Sequence, residues 1–193
     1  ACLDSHLAQN GPRLSDLLWA DTLRESEFYF PMEQLKSGAL GKVLASHRQQ
    51  RNNNAEIESI SLEADKGVLQ GMMHGFIDLV FQWQDKYYVV DYKSTHLGDQ
   101  LGDYGHSALD QNIRDNYYDL QYLLYSLALH RYLKNRRTDY DPQEHFGGVY
   151  YLYLRGMSPG LDSGIFNTDI SPQLLAELDA LFSNTISEES AYV

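Results

Sequence analysis

A single cysteine, Cys2, occurs in the 193 residues. That excludes a disulfide framework and any metal centre built on several thiolates, and it suits a reducing compartment such as the cytoplasm. Apolar runs long enough to cross a bilayer are missing, and no signal peptide opens the chain, so no membrane partner is expected. Basic residues are scarce: 15 Lys and Arg stand against 27 Asp and Glu, for a formal charge of −12. Phosphate binding ordinarily calls for a basic surface, so this balance argues against tight, autonomous binding to DNA. The acidic excess has two readings, solubility or carboxylates gathered around a metal while other parts of an assembly contact DNA. Internal repeats and low-complexity tracts are also lacking.

What is present is ordinary for a globular domain, except that Tyr, at 15 residues, is unusually frequent. The length suits one domain, or a domain with an appendage, and allows a real core. The chain does not begin with Met, and "ACLDSHLAQNGPRLSD" shows no element of its own. The expectation is a fragment of a longer polypeptide.

Periodicity and breakers place the elements coarsely. A short helix is expected from about Ser15 to Leu23. "RESEFYFPM" reads as a strand stopped by Pro31. "QLKSGALGKVLASHRQQ" has loose helical spacing, and "RNNNAEIES" is a polar loop. Two strands, "GMMHGFIDLVFQW" and "KYYVVDYKST", are followed by the loop "HLGDQLGDYGHS". From about Leu109 to Asn135 the apolar residues recur at helical intervals, with a break near Asp115 and basic residues at the C-terminal end. "GGVYYLYLRG" is a strand, and "SPQLLAELDALFSNTIS" is a closing helix with Ser171 as N-cap and Pro172 at its first position. The mixed order predicts an α/β or α+β sheet flanked by helices.

The two central strands carry the chemistry. If Gln84 and Asp85 form a two-residue turn, antiparallel pairing sets Trp83 against Lys86, and so on back to Asp78 against Asp91. Cβ atoms of such a pair lie about 5 Å apart. Gln-Asp is not a favoured tight-turn pair, so the shared face is the firmer expectation. Phe76, Asp78 and Val80 share one face of the first strand, and Tyr87, Val89, Asp91 and Lys93 share one face of the second. Two carboxylates facing each other in an apolar sheet repel unless something neutralises them. A divalent cation with oxygen ligands, Mg²⁺ or Mn²⁺, does so, and Lys93 could steady a water or a charged phosphate. That set describes metal-dependent phosphodiester hydrolysis. Asp-x-Lys alone is weaker, since such strand pairs are commonly surface ion pairs worth under about 1 kcal/mol. Gln121 and Tyr125, four residues apart, lie on one helical face, where they could meet a phosphate or pack as an ordinary amphipathic helix. Tyr118 lies on a neighbouring part of that face.

"GFIDLVF" followed by "YYVVDYKS" resembles the core motif of PD-(D/E)XK nucleases, in the branch typified by RecB nuclease domains. "YDLQYLLYSLALHRYL" carries the Q-x-x-x-Y pattern of that branch at Gln121 and Tyr125. "DYDPQEHFGGVYYLYLRGM" is similar to the strand that closes such domains. The resemblance runs from about Glu25 to the C-terminus. It divides the chain into a remnant or linker, residues 1–24, and a nuclease domain, residues 25–193, with a restriction-endonuclease-like mixed sheet flanked by helices.

The resemblance implies that Asp78, Asp91 and the backbone carbonyl of Tyr92 hold Mg²⁺, with Glu25 as a further candidate ligand three residues ahead of Phe28. Glu27 alternates onto the same face as Glu25, so either could serve, with Glu25 the better match to the family position. Lys93 would act on the water or the phosphate, and Gln121 and Tyr125 would position the scissile strand. His74 and His96 match no family site. The upstream G-T-x-x-H-like histidine of the branch has no counterpart, and His6 does not resemble it, so the fragment is expected to begin downstream of that helix. The implied function is DNA cleavage within a bacterial helicase–nuclease of the exonuclease V type, in break repair and recombination. Implied partners are DNA, RecC- and RecD-type subunits and a RecA-type recombinase. A rival reading keeps the fold as a non-catalytic docking module for a recombinase or partner subunit. A Cas4-like exonuclease is disfavoured, since one cysteine cannot supply an iron–sulfur set.

Overall fold

The structure, a computed structural model, describes residues 2–7, 11–35, 38–51 and 69–183, and at 32–35 and 69–70 the backbone alone. Five strands form one sheet in the order β1-β2-β3-β4-β5: Thr22–Leu35, Leu69–Trp83, Lys86–Lys93, Phe146–Tyr153 and Ile165–Thr168. The β2/β3 and β4/β5 pairs are antiparallel and β3/β4 is parallel. The helices are α1 (Ala39–Arg51), α2 (His106–Asp115), α3 (Tyr118–Arg136), the single turn α4 (Pro142–His145) and α5 (Pro172–Ser183). The sheet is mixed and flanked by helices, as expected.

The described residues fall into two compact units, to which the long strands β1 and β2 both contribute. The first takes in residues 1–27 and 76–171, and the second 28–75 and 172–193. In the first, Leu79, Phe81, Val90, Tyr150, Leu152 and Ile165 form a core with Leu7 from the N-terminal segment. Phe81 stacks on Tyr88 with ring centroids 4.8 Å apart. In the second, α1 and α5 pack together, Leu44 is fully buried, and Phe30 meets Phe182 edge-on at 5.4 Å.

Several expectations need correction. Instead of a helix from Ser15 to Leu23 there are two 3₁₀ turns, Leu14–Asp16 and Trp19–Asp21, and β1 begins at Thr22. Leu17 and Leu18 between them are extended, and so short a stretch cannot repay helix nucleation. Pro31 does not stop β1. The strand lies at the sheet edge, where a residue without an N–H is tolerated. The "HLGDQLGDYGHS" loop contains a 3₁₀ turn, Leu101–Tyr104, and the start of α2 at His106. The strand read at "GGVYYLYLRG" is β4, which begins at Phe146 and ends at Tyr153, where a turn takes up the last three residues of that stretch; ahead of it Asp141 caps a helical turn, its Oδ1 accepting from the Gln143 N–H at 2.8 Å. Strand β5 was not expected, since four residues are too few to show a period. The long helix does break where Asp115 ends α2, and Tyr117, at φ +53°, turns the chain into α3. Beyond Arg51, the polar loop "RNNNAEIES" lies outside the described residues, as does the end of the closing segment after Ser183.

Candidate active site

Strand β3 has a paired neighbour on each side, so its centre is deeply buried: Val89 and Val90 are inaccessible, and Asp91 is 4% exposed. The hairpin turn forms at Gln84 and Asp85, both left-handed at φ +49° and +65°, the geometry that suits the twist of a two-residue hairpin. The expected register follows, from Trp83 against Lys86 to Leu79 against Val90. The ladder ends there, one pair short of Asp78 and Asp91. At that point Asp78 Oδ2 accepts a hydrogen bond from the backbone N–H of Tyr92 at 2.8 Å. An unfavoured turn pair is tolerated because Asp85 is gripped from outside the hairpin. Arg137 donates to both its oxygens, at 2.8 and 3.0 Å, and Gln82 Nε2 adds a bond at 3.1 Å.

Lys93 leaves the same strand two residues after Asp91, and its ammonium sits 2.8 Å from Asp91 Oδ2. It also donates to Gln121 Oε1 at 3.0 Å and lies 3.8 Å above the Tyr118 ring and 4.8 Å from that of Tyr151. Gln121 is the hub of this group. Its Oε1 also accepts from the Tyr151 hydroxyl at 2.8 Å, and its Nε2 donates to the Tyr125 hydroxyl at 2.9 Å. The i,i+4 spacing of Gln121 and Tyr125 in α3 therefore serves a direct bond between them.

Burial pushes the Asp91 carboxyl up, Lys93 opposes that, and the charge of Asp78 adds to it. The Tyr125 phenol is pushed up to about 12, first by burial and then by Asp91, with Asp78 adding and the Gln121 bond opposing. Tyr151 is raised well above the ordinary phenol value, again chiefly by burial. Both phenols stay protonated across the neutral range.

The donor set fits a hard divalent cation. The contact of Asp91 Oδ2 with Lys93 is an ion pair without the alignment of a hydrogen bond, and Oδ2 has no other polar partner among the described residues. Among those residues, no hydrogen bond or ion pair engages Oδ1 of either Asp91 or Asp78. Two buried or half-buried carboxylates with an unengaged oxygen each are what an oxygen-preferring ion requires. Among the described residues no third His, Cys, Asp or Glu completes a cluster. A neutral oxygen such as the Tyr92 carbonyl would have to supply the next ligand. Glu25 is exposed, and its φ of +47° interrupts the extended run, so the alternation expected to align it with Glu27 does not operate at that residue. It lines a cavity of about 430 Å³ together with Asp78.

His74 lies exposed on β2, stacked on Tyr29 at 4.4 Å, and His96 pairs with Asp99 at 3.0 Å. Neither joins the site. Tyr151 was not anticipated, and Tyr118 only as a lesser candidate. Tyr151 pairs with Asp91 across the parallel β3/β4 ladder, which places the two on one face. Only knowledge that β4 lies beside β3 reveals this, and sequence spacing does not carry it.

A family model of the PD-(D/E)XK nuclease superfamily matches residues 5–189. The RecBCD enzyme subunit RecB of Haemophilus influenzae is 42% identical over 173 residues, which is 89% of this chain and 14% of that protein. That of Escherichia coli strain K12 is 38% identical over 192 residues, 98% of this chain and 16% of that protein. That of Mycobacterium tuberculosis is 34% identical over 180 residues, 83% of this chain and 16% of that protein. The chain thus spans only 14% to 16% of the length of these relatives.

Proposed function

Because this chain belongs to the PD-(D/E)XK nuclease superfamily, with similarity to RecB subunits along most of its length, we propose that it hydrolyses phosphodiester bonds in DNA with Mg²⁺ or Mn²⁺. The observation that carries this reading is the Lys93 ammonium 2.8 Å from buried Asp91, with Asp78 one position beyond the end of the β2/β3 ladder. Asp78, Asp91 and the Tyr92 carbonyl would hold the cation, which supplies positive charge to the phosphate and acidity to a bound water. Glu25 is a further candidate ligand, from the wall of the cavity it shares with Asp78. Lys93 brings an ammonium to the developing negative charge, where a pre-placed cation in a water-poor site is most effective. Gln121 acts through Lys93 and Tyr125, holding both in place, and the protonated Tyr125 would help to position the scissile strand.

In its biological setting the chain would serve as the nuclease domain of a bacterial helicase–nuclease, in double-strand break repair and recombination in the cytoplasm. RecC- and RecD-type subunits and a RecA-type recombinase would be its protein partners. The net charge of −12 is consistent with other subunits supplying most of the basic path for DNA.

Calorimetric titration of Mg²⁺ and Mn²⁺ into the 193-residue chain tests the cation site. Saturable binding should be lost in Asp78→Ala and in Asp91→Ala. In the full helicase–nuclease, Asp91→Ala should abolish cutting and leave unwinding intact. Cutting retained by that variant would refute the site assignment and favour the docking reading.

A further inference from the structure

Next to the carboxylates, on the side of Asp78 and Tyr92, lie side chains to which the cutting chemistry assigns no role. The cavity of about 430 Å³ that Asp78 lines is also lined by Trp19, Arg24 and Tyr92. Trp19 sits in a 3₁₀ turn and is 74% exposed, an unusual state for the largest apolar side chain. The Arg24 guanidinium lies 4.2 Å from its ring centroid. Arg24 also lies close enough to Tyr92 to oppose the upward push that burial gives that phenol. Tyr92, 38% exposed, adds a second accessible ring.

We propose that Trp19, Arg24 and Tyr92 form a stacking subsite for an unpaired nucleobase of a single-stranded substrate, adjoining the Asp78 end of the cutting site. The proposal rests on the nuclease reading for its placement. The chemistry is that of strand-binding grooves, in which bases stack on aromatic rings in a sequence-tolerant way and a cation meets the backbone. Arg24 covers part of the Trp19 ring, and most of the residue stays open to a base. In a chain carrying −12, a guanidinium fixed on an indole offers a local positive charge to phosphate, set against the Glu25 and Asp78 carboxylates of the same cavity, so the ring supplies most of the attraction when no cation is bound. A paired base is already stacked within its duplex and cannot use the platform, so single strands are selected over duplex.

The test measures binding of the 193-residue chain to labelled strands by fluorescence anisotropy, at low ionic strength and with a chelator so that nothing is cut. The probes are a thymidine oligomer, an abasic strand of equal length and a duplex. Trp19→Ala should raise the Kd for the thymidine oligomer by about 5- to 100-fold. Trp19→Phe should restore most of the loss, and the Kd for the abasic strand should not move. Equal affinity of wild type and Trp19→Ala for the oligomer overturns the proposal, as does an absence of measurable binding by wild type. An equal loss on the abasic strand also overturns it, since Trp19 would then serve the fold or a protein surface. Asp91→Ala separates the two readings. If it still cuts, the catalytic assignment fails while the metal-free binding result stands. If Trp19→Ala binds normally and Asp91→Ala is dead, only the stacking subsite falls.

Discussion

Lys93 Nζ donates to Gln121 Oε1 at 3.0 Å, a bond that ties the buried strand β3 to helix α3. The same oxygen takes the Tyr151 hydroxyl from β4. One amide thus holds the ammonium from one side while Asp91 and the Tyr118 ring hold it from others. A long, flexible lysine is thereby placed before any substrate arrives, and its rotamer entropy is already spent in folding.

Gln121→Ala should therefore lower kcat by about 10- to 100-fold with KM nearly unchanged, since a small misplacement of a charged group is felt mainly in the transition state. Gln121→Glu keeps an acceptor for Lys93 and loses the donor to Tyr125, so it should retain more activity than the alanine variant. Steady-state kinetics of the full assembly measures this. A raised KM with unchanged kcat would instead assign Gln121 to holding the substrate strand.

The parts of this site that could be read in the sequence are those set by local geometry. Alternation in two adjacent strands put Asp78, Asp91 and Lys93 on one face, and i,i+4 spacing joined Gln121 to Tyr125. The parts that could not be read depend on distant neighbours. Tyr151 stands beside Asp91 only because β4 reaches β3 after three helices, α2, α3 and α4. The ladder ends at Leu79 because the Asp78 carboxylate takes the Tyr92 N–H, a choice no strand period contains. The fold shows the same division. The sheet class and main helices were legible, whereas the edge position that lets Pro31 continue β1 belongs to the assembled sheet.

The hairpin turn sets the register and depends on Arg137. Two non-glycine residues in the left-handed region cost free energy, and the fork on Asp85 helps to offset it. Arg137 also donates to Asp139 from Nε at 2.8 Å. Arg137→Ala should lower Tm at neutral pH. The Arg137 guanidinium holds the Asp85 carboxyl below its ordinary value, so this stabilisation is present above the unfolded-state value and is lost as pH falls through the folded one. Melting curves from neutral pH into the acid range should show the gap between wild type and variant closing. A constant gap would mean that Arg137 acts through packing alone.

His47 on α1 gives an acid sensitivity of opposite chemistry. It is 4% exposed, and burial first, then Arg51 and Arg48, lowers its value from 6.5 to about 4. The unfolded chain takes up a proton near 6.5 and the folded chain does not until about 4. Stability from this group is therefore complete above 6.5 and drains away as pH falls towards 4, by about 3 kcal/mol at most. In urea titrations, His47→Gln should lose less stability than wild type between pH 7 and pH 4. An identical loss in both would assign the acid sensitivity elsewhere.

The last prediction concerns the start of β4, where the register slips so that Tyr87 pairs with Phe146 and Tyr88 with Gly148. Gly148 has φ +114°, a conformation side chains avoid, and a Cβ there would lie 2.7 Å from the Thr168 carbonyl oxygen. Backbone cannot move aside as a flexible side chain can, so Gly148→Ala combines conformational strain with a clash and should cost about 3 kcal/mol. Gly160 separates the two contributions. It has φ +80° with nothing within 4 Å of a Cβ, so Gly160→Ala reports strain alone, about 1 kcal/mol. Urea unfolding at matched m-values should therefore rank Gly148→Ala well below Gly160→Ala in stability. Equal losses would show that β5 gives way to the added methyl group and that the slip in the β3/β4 ladder does not depend on a glycine at 148.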